Sequence, residues 1–161
     1  MEDARFEDGS VERPLRLNAV TSEDLVVIST LLQDAVAQTS DISWMRRNRK
    51  FALLLNRFRW EDAEDAKRSK RPFERVQSVV TIESVLSVKG QGVNPSDKDT
   101  VLELLNFTFE AGEDAAGTLT LNFAGDGAIS LEVECVDVSL QDMSQPYVAR
   151  SQRLPSHPED V

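Results

Sequence analysis

Apolar residues recur along this chain with two periods, and the places where the period changes mark its elements. Leu15-Arg16-Leu17-Asn18-Ala19-Val20 alternates apolar and polar residues and predicts a short strand. Thr21 or Ser22 then offers an N-cap hydroxyl, and Glu23 and Asp24 place negative charge on the positive end of a helix. Leu25, Ile28, Leu32, Ala35 and Val36 return at helical spacing, with Val27 and Leu31 widening the stripe. One long helix laid on a sheet is the expectation. Asp41–Met45, a polar turn at Arg46–Lys50 and the run Phe51–Trp60 then read as a hairpin. In its return strand Phe51, Leu53 and Leu55 point one way, and Ala52, Leu54, Phe58 and Trp60 point the other. That predicts a central strand covered on both faces, with Arg57 and Arg59 emerging on the face begun by Phe51.

Blocks of acid and base over Glu61–Pro72 read as a charged loop joining two halves. A strand over Val76–Val88 carries Val76, Val80, Ile82, Leu86 and Val88 on one face and is broken by Gly90–Pro95. Ser96 can cap a short helix on which Val101, Leu104 and Leu105 share a face, and Asn106–Glu110 is the next strand. The clearest hairpin is Thr118–Phe123, the turn Ala124–Gly127 and Ile129–Cys135, where strict alternation gives one wet face and one core face. After Cys135 the apolar phase moves to Val136, Val138 and Leu140, as at a bulge. The expected fold is therefore α+β: an antiparallel sheet or partly open barrel of about seven strands with one long and one short helix. Its strand–helix–strand–strand order repeats loosely, which predicts two β-α-β-β halves; a pleckstrin-homology-like barrel is the alternative. Residues 1–12 form an acidic N-terminus and 144–161 a polar, proline-punctuated tail, both read as flexible around a single domain over 13–143.

Charge changes this picture more than composition does. The net charge is −10, yet eleven of the 18 Lys and Arg residues lie between Arg46 and Arg75 with only five acids among them. A segment so enriched can orient an anionic partner. The acidic total argues against general nucleic-acid binding. An acidic start without an apolar core region, and no apolar run near the ~20 residues of a membrane span, predict a cytoplasmic protein that does not engage a membrane.

Candidate chemistry is sparse. His157, the only histidine, lies in the tail, so Ser-His-Asp and Cys-His catalysis are excluded. Cys135 is the only cysteine and reads as a small inward hydrophobe. Glu110, Glu113 and Asp114, or Glu132, Glu134 and Asp137, would suit a paired-acid or Mg²⁺ site by composition, but neither set has ligand spacing and solvated charge explains both. Gly90-Gln91-Gly92 lacks the third glycine of a dinucleotide fingerprint. No catalytic residue, metal ligand or cofactor is expected. There remain Arg57, Arg59 and Trp60 at the end of one strand and Arg71, Phe73 and Arg75 at the start of the next. Brought together, these six would form a basic–aromatic surface for an acidic protein or a small anionic ligand. The plainer reading is that Trp60 and Phe73 close the core edge while the arginines snorkel. The function expected is a non-catalytic binding or adaptor module. The alternative is a carboxylate/arginine-based enzyme or accessory subunit acting on a small anionic ligand.

The runs Phe51–Trp60, Thr108–Glu113 and Gly127–Cys135, with Leu32-Gln33-Asp34-Ala35-Val36, resemble a small bacterial family of unknown function. Its genes typically lie beside the one for histidinol dehydrogenase, and the likeness covers residues 14–143. The resemblance implies a cytoplasmic bacterial protein and carries over no catalytic residue.

Overall fold

The structure is a computed structural model that describes residues 14–94 and 96–149. The strands are β1 (Arg16–Ala19), β2 (Val36–Gln38), β3 (Ile42–Met45), β4 (Lys50–Phe58), β5 (Glu74–Ile82), β6 (Val85–Gln91), β7 (Val101–Ala111), β8 (Gly117–Phe123), β9 (Ala128–Val133), β10 (Val138–Asp142) and β11 (Tyr147–Val148). Two ten-residue helices, α1 (Ser22–Leu31) and α2 (Trp60–Ser69), and two single 3-10 turns at Thr39–Asp41 and Arg46–Asn48 complete the described elements. The strands form one open sheet in the order β1-β10-β5-β4-β2-β7-β8-β9-β6, with β3 beside β4 and β11 beside β5. Every pairing is antiparallel. This corrects the seven-strand α+β expectation. It also removes the pleckstrin-homology-like alternative, because β1 and β6 end the strand path without pairing to each other. Both described helices precede β5, and everything after it is strand, so the two β-α-β-β halves are absent.

Each departure from the expected elements has a local cause. Thr21 caps α1 by accepting the Asp24 N–H (3.0 Å), as the sequence indicates. The helix nevertheless stops at Leu31, because Asp34 adopts a left-handed conformation (φ 67°) and its N–H turns to the Leu104 carbonyl. The chain therefore continues as strand from Val36, and Val26 and Val27 face solvent. Glu61–Pro72 is mostly α2, not loop. Its acids stand in the first turn and its bases in the last, the arrangement that complements a helix dipole, and Lys70 ends it in a left-handed conformation. The expected strand Val76–Val88 is two strands, since Ser84 (φ 60°) turns the chain and resets the alternation. Val85 is consequently buried and Leu86 exposed. The expected short helix over Val101–Leu105 is strand, with a register shift between Leu104 and Asn106 that keeps both Leu104 and Phe107 inside. Nor is there a bulge after Cys135: β10 leaves β9 altogether and pairs with β1 and β5.

The sheet has two wings around one core. Phe51, Leu53 and Leu55 of β4, Val80 and Ile82 of β5, and Leu140 of β10 meet Leu104 of β7, Leu119 and Leu121 of β8, and Leu131 of β9, with Leu25 and Ile28 of α1 in the same cluster. The opposite face of β4, with Ala52, Leu54 and Asn56, is only half-buried, so that strand is covered on one side, not two. β2 joins the wings by pairing with β4 and β7. They meet again where Val85 donates to the Arg49 carbonyl (2.9 Å) and Glu134 to that of Ser84 (3.0 Å). Residues 144–149 follow β5 instead of hanging loose: Tyr147 pairs with Arg75, and Ala149 N–H donates to the Phe73 carbonyl (2.8 Å). The rest of the expected flexible ends, 1–12 and the last part of 144–161, lies outside the described residues.

Candidate functional site

The β4–α2–β5 junction does gather the six residues expected from sequence. Arg57, at the end of β4, is fully buried. Its guanidinium donates to both Glu61 carboxylate oxygens (2.8 and 2.9 Å) and to both Asp142 oxygens (3.1 Å each). Asp142 also accepts from the Ser78 hydroxyl (2.7 Å) and the Leu15 N–H (3.0 Å), which ties β4, β5 and the residue before β1 to one carboxylate on β10. Arg59, also buried, pairs with Glu74 and reaches Glu61 (3.5 Å) and Asp62 (3.6 Å). Arg71 binds Asp62 through two hydrogen bonds (3.0 and 3.1 Å). Arg75 lies 5.8 Å over the Phe58 ring and donates to the Asn56 carbonyl. The Trp60 indole donates to the Gln33 carbonyl (2.9 Å) and meets Phe58 edge-on at 4.8 Å; Phe73 packs on the other side at 5.7 Å.

Proximity here has not produced an open anion site. Burial pushes the Glu61 carboxyl up, but the hydrogen bonds and charge of Arg57 outweigh it, so Glu61 titrates below the ordinary glutamate range. Burial likewise lowers Arg57, yet its bonds to Glu61 and Asp142 leave it raised. Arg71 is raised chiefly by its hydrogen bonds to Asp62. Arg57 and Arg59 therefore do not emerge from β4 as free cations; they form an ion-paired clasp that fastens α2 to the sheet. A 150 Å³ recess beside it, lined in part by Arg59, Glu61 and Asp142, is smaller than the ~300 Å³ at which ligand pockets begin.

A second site lies where the sheet is open. β3 and β6 each pair on one side only, and between them is a groove of about 610 Å³. Phe51 and Ile129, both core residues, form its floor; Ile42 and Trp44 stand on the β3 side, and Val88, Gly90 and Val93 on the other. The strands converge at the Val85–Arg49 hydrogen bond, beside an Arg49–Glu134 ion pair of 3.2 Å. At the opposite end Ser40 donates to the Lys98 carbonyl (3.2 Å), Thr39 to that of Thr100 (3.0 Å), and the Thr39 hydroxyl to that of Asp97. Arg46 and Lys98 line the mouth and are exposed. Among the described residues neither makes an ion pair.

Sequence reasoning placed Arg46 in the basic segment but gave the groove no existence. Its lining comes from three distant stretches, and the only local sign is Trp44 two residues before Arg46. The acidic sets assemble nothing comparable. Glu110, Glu113 and Asp114 are exposed around the β7–β8 turn, Glu132 accepts from the Thr118 hydroxyl (3.0 Å), and Glu134 pairs with Arg49. No group of three or more His, Cys, Asp or Glu among the described residues is placed to hold a metal. Cys135 is half-buried in the turn after β9, not on an inward strand face. No described helix is long and apolar enough to cross a membrane.

Fold and groove together define a mostly antiparallel β protein with a ligand-sized opening between two unpaired strand edges. The chain belongs to the family described as "Protein of unknown function (DUF2948)", which matches residues 15–157 and so takes in β11 as well as the core strands. No curated protein and no solved structure matches it.

Proposed function

We propose that the protein is a non-catalytic binding module whose ligand seats in the groove between β3 and β6. One observation carries this: two exposed cations without ion-pair partners among the described residues stand at the mouth of an apolar groove of about 610 Å³. That volume falls within the ~300–1,000 Å³ of small-molecule sites. The recognition is basic and aromatic, as expected from sequence, but through Trp44, Phe51, Arg46 and Lys98 instead of the clasp. The lining supports binding over catalysis. Among the described lining residues the ionisable groups are an arginine and a lysine, the hydroxyls are those of Thr39 and Ser40, and there is no carboxylate or imidazole to act as general base.

The test is titration with N-phenylnaphthylamine, an uncharged dye that fluoresces in apolar surroundings. Saturable enhancement is expected from the full chain, and its loss from Ile42→Asp and from Val88→Asp variants that retain the native circular dichroism spectrum. Absent enhancement, or enhancement unaffected by both substitutions, contradicts the reading.

A further inference from the structure

Taking the groove as the binding site, we infer that its occupant is a small amphipathic carboxylate: a compact aliphatic or aromatic body carrying an anionic head. The apolar body follows from the lining, where Ile42, Trp44, Phe51, Val88, Val93 and Ile129 surround the opening. The anionic head follows from Arg46 and Lys98, because no acid is among the described residues that line the same groove. Two neighbouring cations are engaged elsewhere. Arg49 and Lys50 are already paired with Glu134 and Glu83 (3.2 and 3.6 Å). In a chain of net charge −10, two unpaired cations on an apolar site oppose the overall field and select anions locally.

The rim decides the size of the occupant. The Val85–Arg49 hydrogen bond joins the β6 side to the end of the β3–β4 turn, and the Lys98–Ser40 and Thr100–Thr39 bonds join the chain after β6 to the start of β3. Backbone therefore closes the groove at both ends. An extended acidic polypeptide cannot run lengthwise through it, whereas a small molecule can enter from the mouth. This separates the two partners considered from sequence, an acidic protein and a small anionic ligand, in favour of the latter.

The experiment loads the full chain with N-phenylnaphthylamine and displaces it with octanoate or, in parallel, octanol. The two share an apolar body and differ in the head. Octanoate should displace the dye at about tenfold lower concentration than octanol, the ratio expected when charge pairing contributes a little over 1 kcal/mol. Raising the salt should shrink the ratio, because exposed charges are screened. In the double variant Arg46→Ala/Lys98→Ala, with each competitor measured against the dye's own affinity for that variant, octanoate and octanol should displace the dye alike. Equal displacement by octanoate and octanol in the unmodified protein, with the dye still bound in the groove, would overturn the carboxylate inference and leave the groove reading intact. An octanoate advantage that survives in the double variant overturns it equally. A dye that never binds removes the groove reading and this inference with it.

Discussion

The basic stretch of the sequence contributes to two regions that use positive charge in opposite ways. At the β4–α2–β5 junction Arg57, Arg59 and Arg71 meet Glu61, Asp62, Glu74 and Asp142, and the cations are held by the protein's own acids. At the groove, Arg46 and Lys98 face an apolar opening with no ion-pair partner among the described residues. Segregation of charge in sequence thus says little about which charge is available. What decides it is whether the fold brings acids to the same place.

The comparison is most strongly tested by breaking the clasp at its centre. Arg57→Met removes the guanidinium that pairs with the nearly buried Asp142, so unfolding stability in urea should fall by about 3–5 kcal/mol. Dye affinity of the fraction still folded should not change, since the clasp does not line the groove. Acid should weaken the same region. Because Glu61 titrates below its ordinary value in the folded protein, its contribution is complete above the unfolded glutamate value of about 4.3 and is lost as pH falls through the lower folded value. Glu61→Gln should be less stable at neutral pH and show a shallower loss on acidification, read from urea midpoints between neutral pH and the acid limit of folding.

Smaller effects sharpen the contrast. Arg71, whose side chain is 42% exposed, forms the outermost pair of the clasp, and Arg71→Ala should cost about 0–1 kcal/mol in the same assay. Arg46→Glu with Lys98→Glu should leave stability within about 0.5 kcal/mol, because neither side chain has an ion pair to lose among the described residues. That variant should nevertheless bind octanoate less well than octanol. A stability loss there as large as that of Arg57→Met would mean the two regions do not differ in kind.

Legibility in the sequence followed the range of the interaction. The β8–β9 hairpin and the β3–β4 hairpin were readable because alternation and turn residues sit next to each other in the chain. α2 was present as a signal and misread: its acid-then-base order describes a helix dipole as well as a charged loop, and the Asp65–Arg68 spacing fits one helical turn. Only the first part of β7, Val101–Leu105, was misread, because Leu and Glu suit helices, while pairing with β2 and β8 imposes strand there. The six arginine and aromatic residues lie near one another because β4 and β5 pair along their length, but Asp142 stands 85 residues from Arg57 and no local pattern announces it. The groove was beyond reach for the same reason. It exists only because residues near 42, 88, 98 and 129 meet across two wings of the sheet.

The most direct measurement of where this protein binds is amide chemical-shift mapping of the isotope-labelled full chain during an octanoate titration. Shifts concentrated at Ile42–Arg46, Val88–Val93 and Lys98, with the clasp silent, are the predicted result. Shifts concentrated at Arg57, Arg71, Phe73 and Arg75, with the groove silent, would contradict it and return the binding site to the arginine cluster.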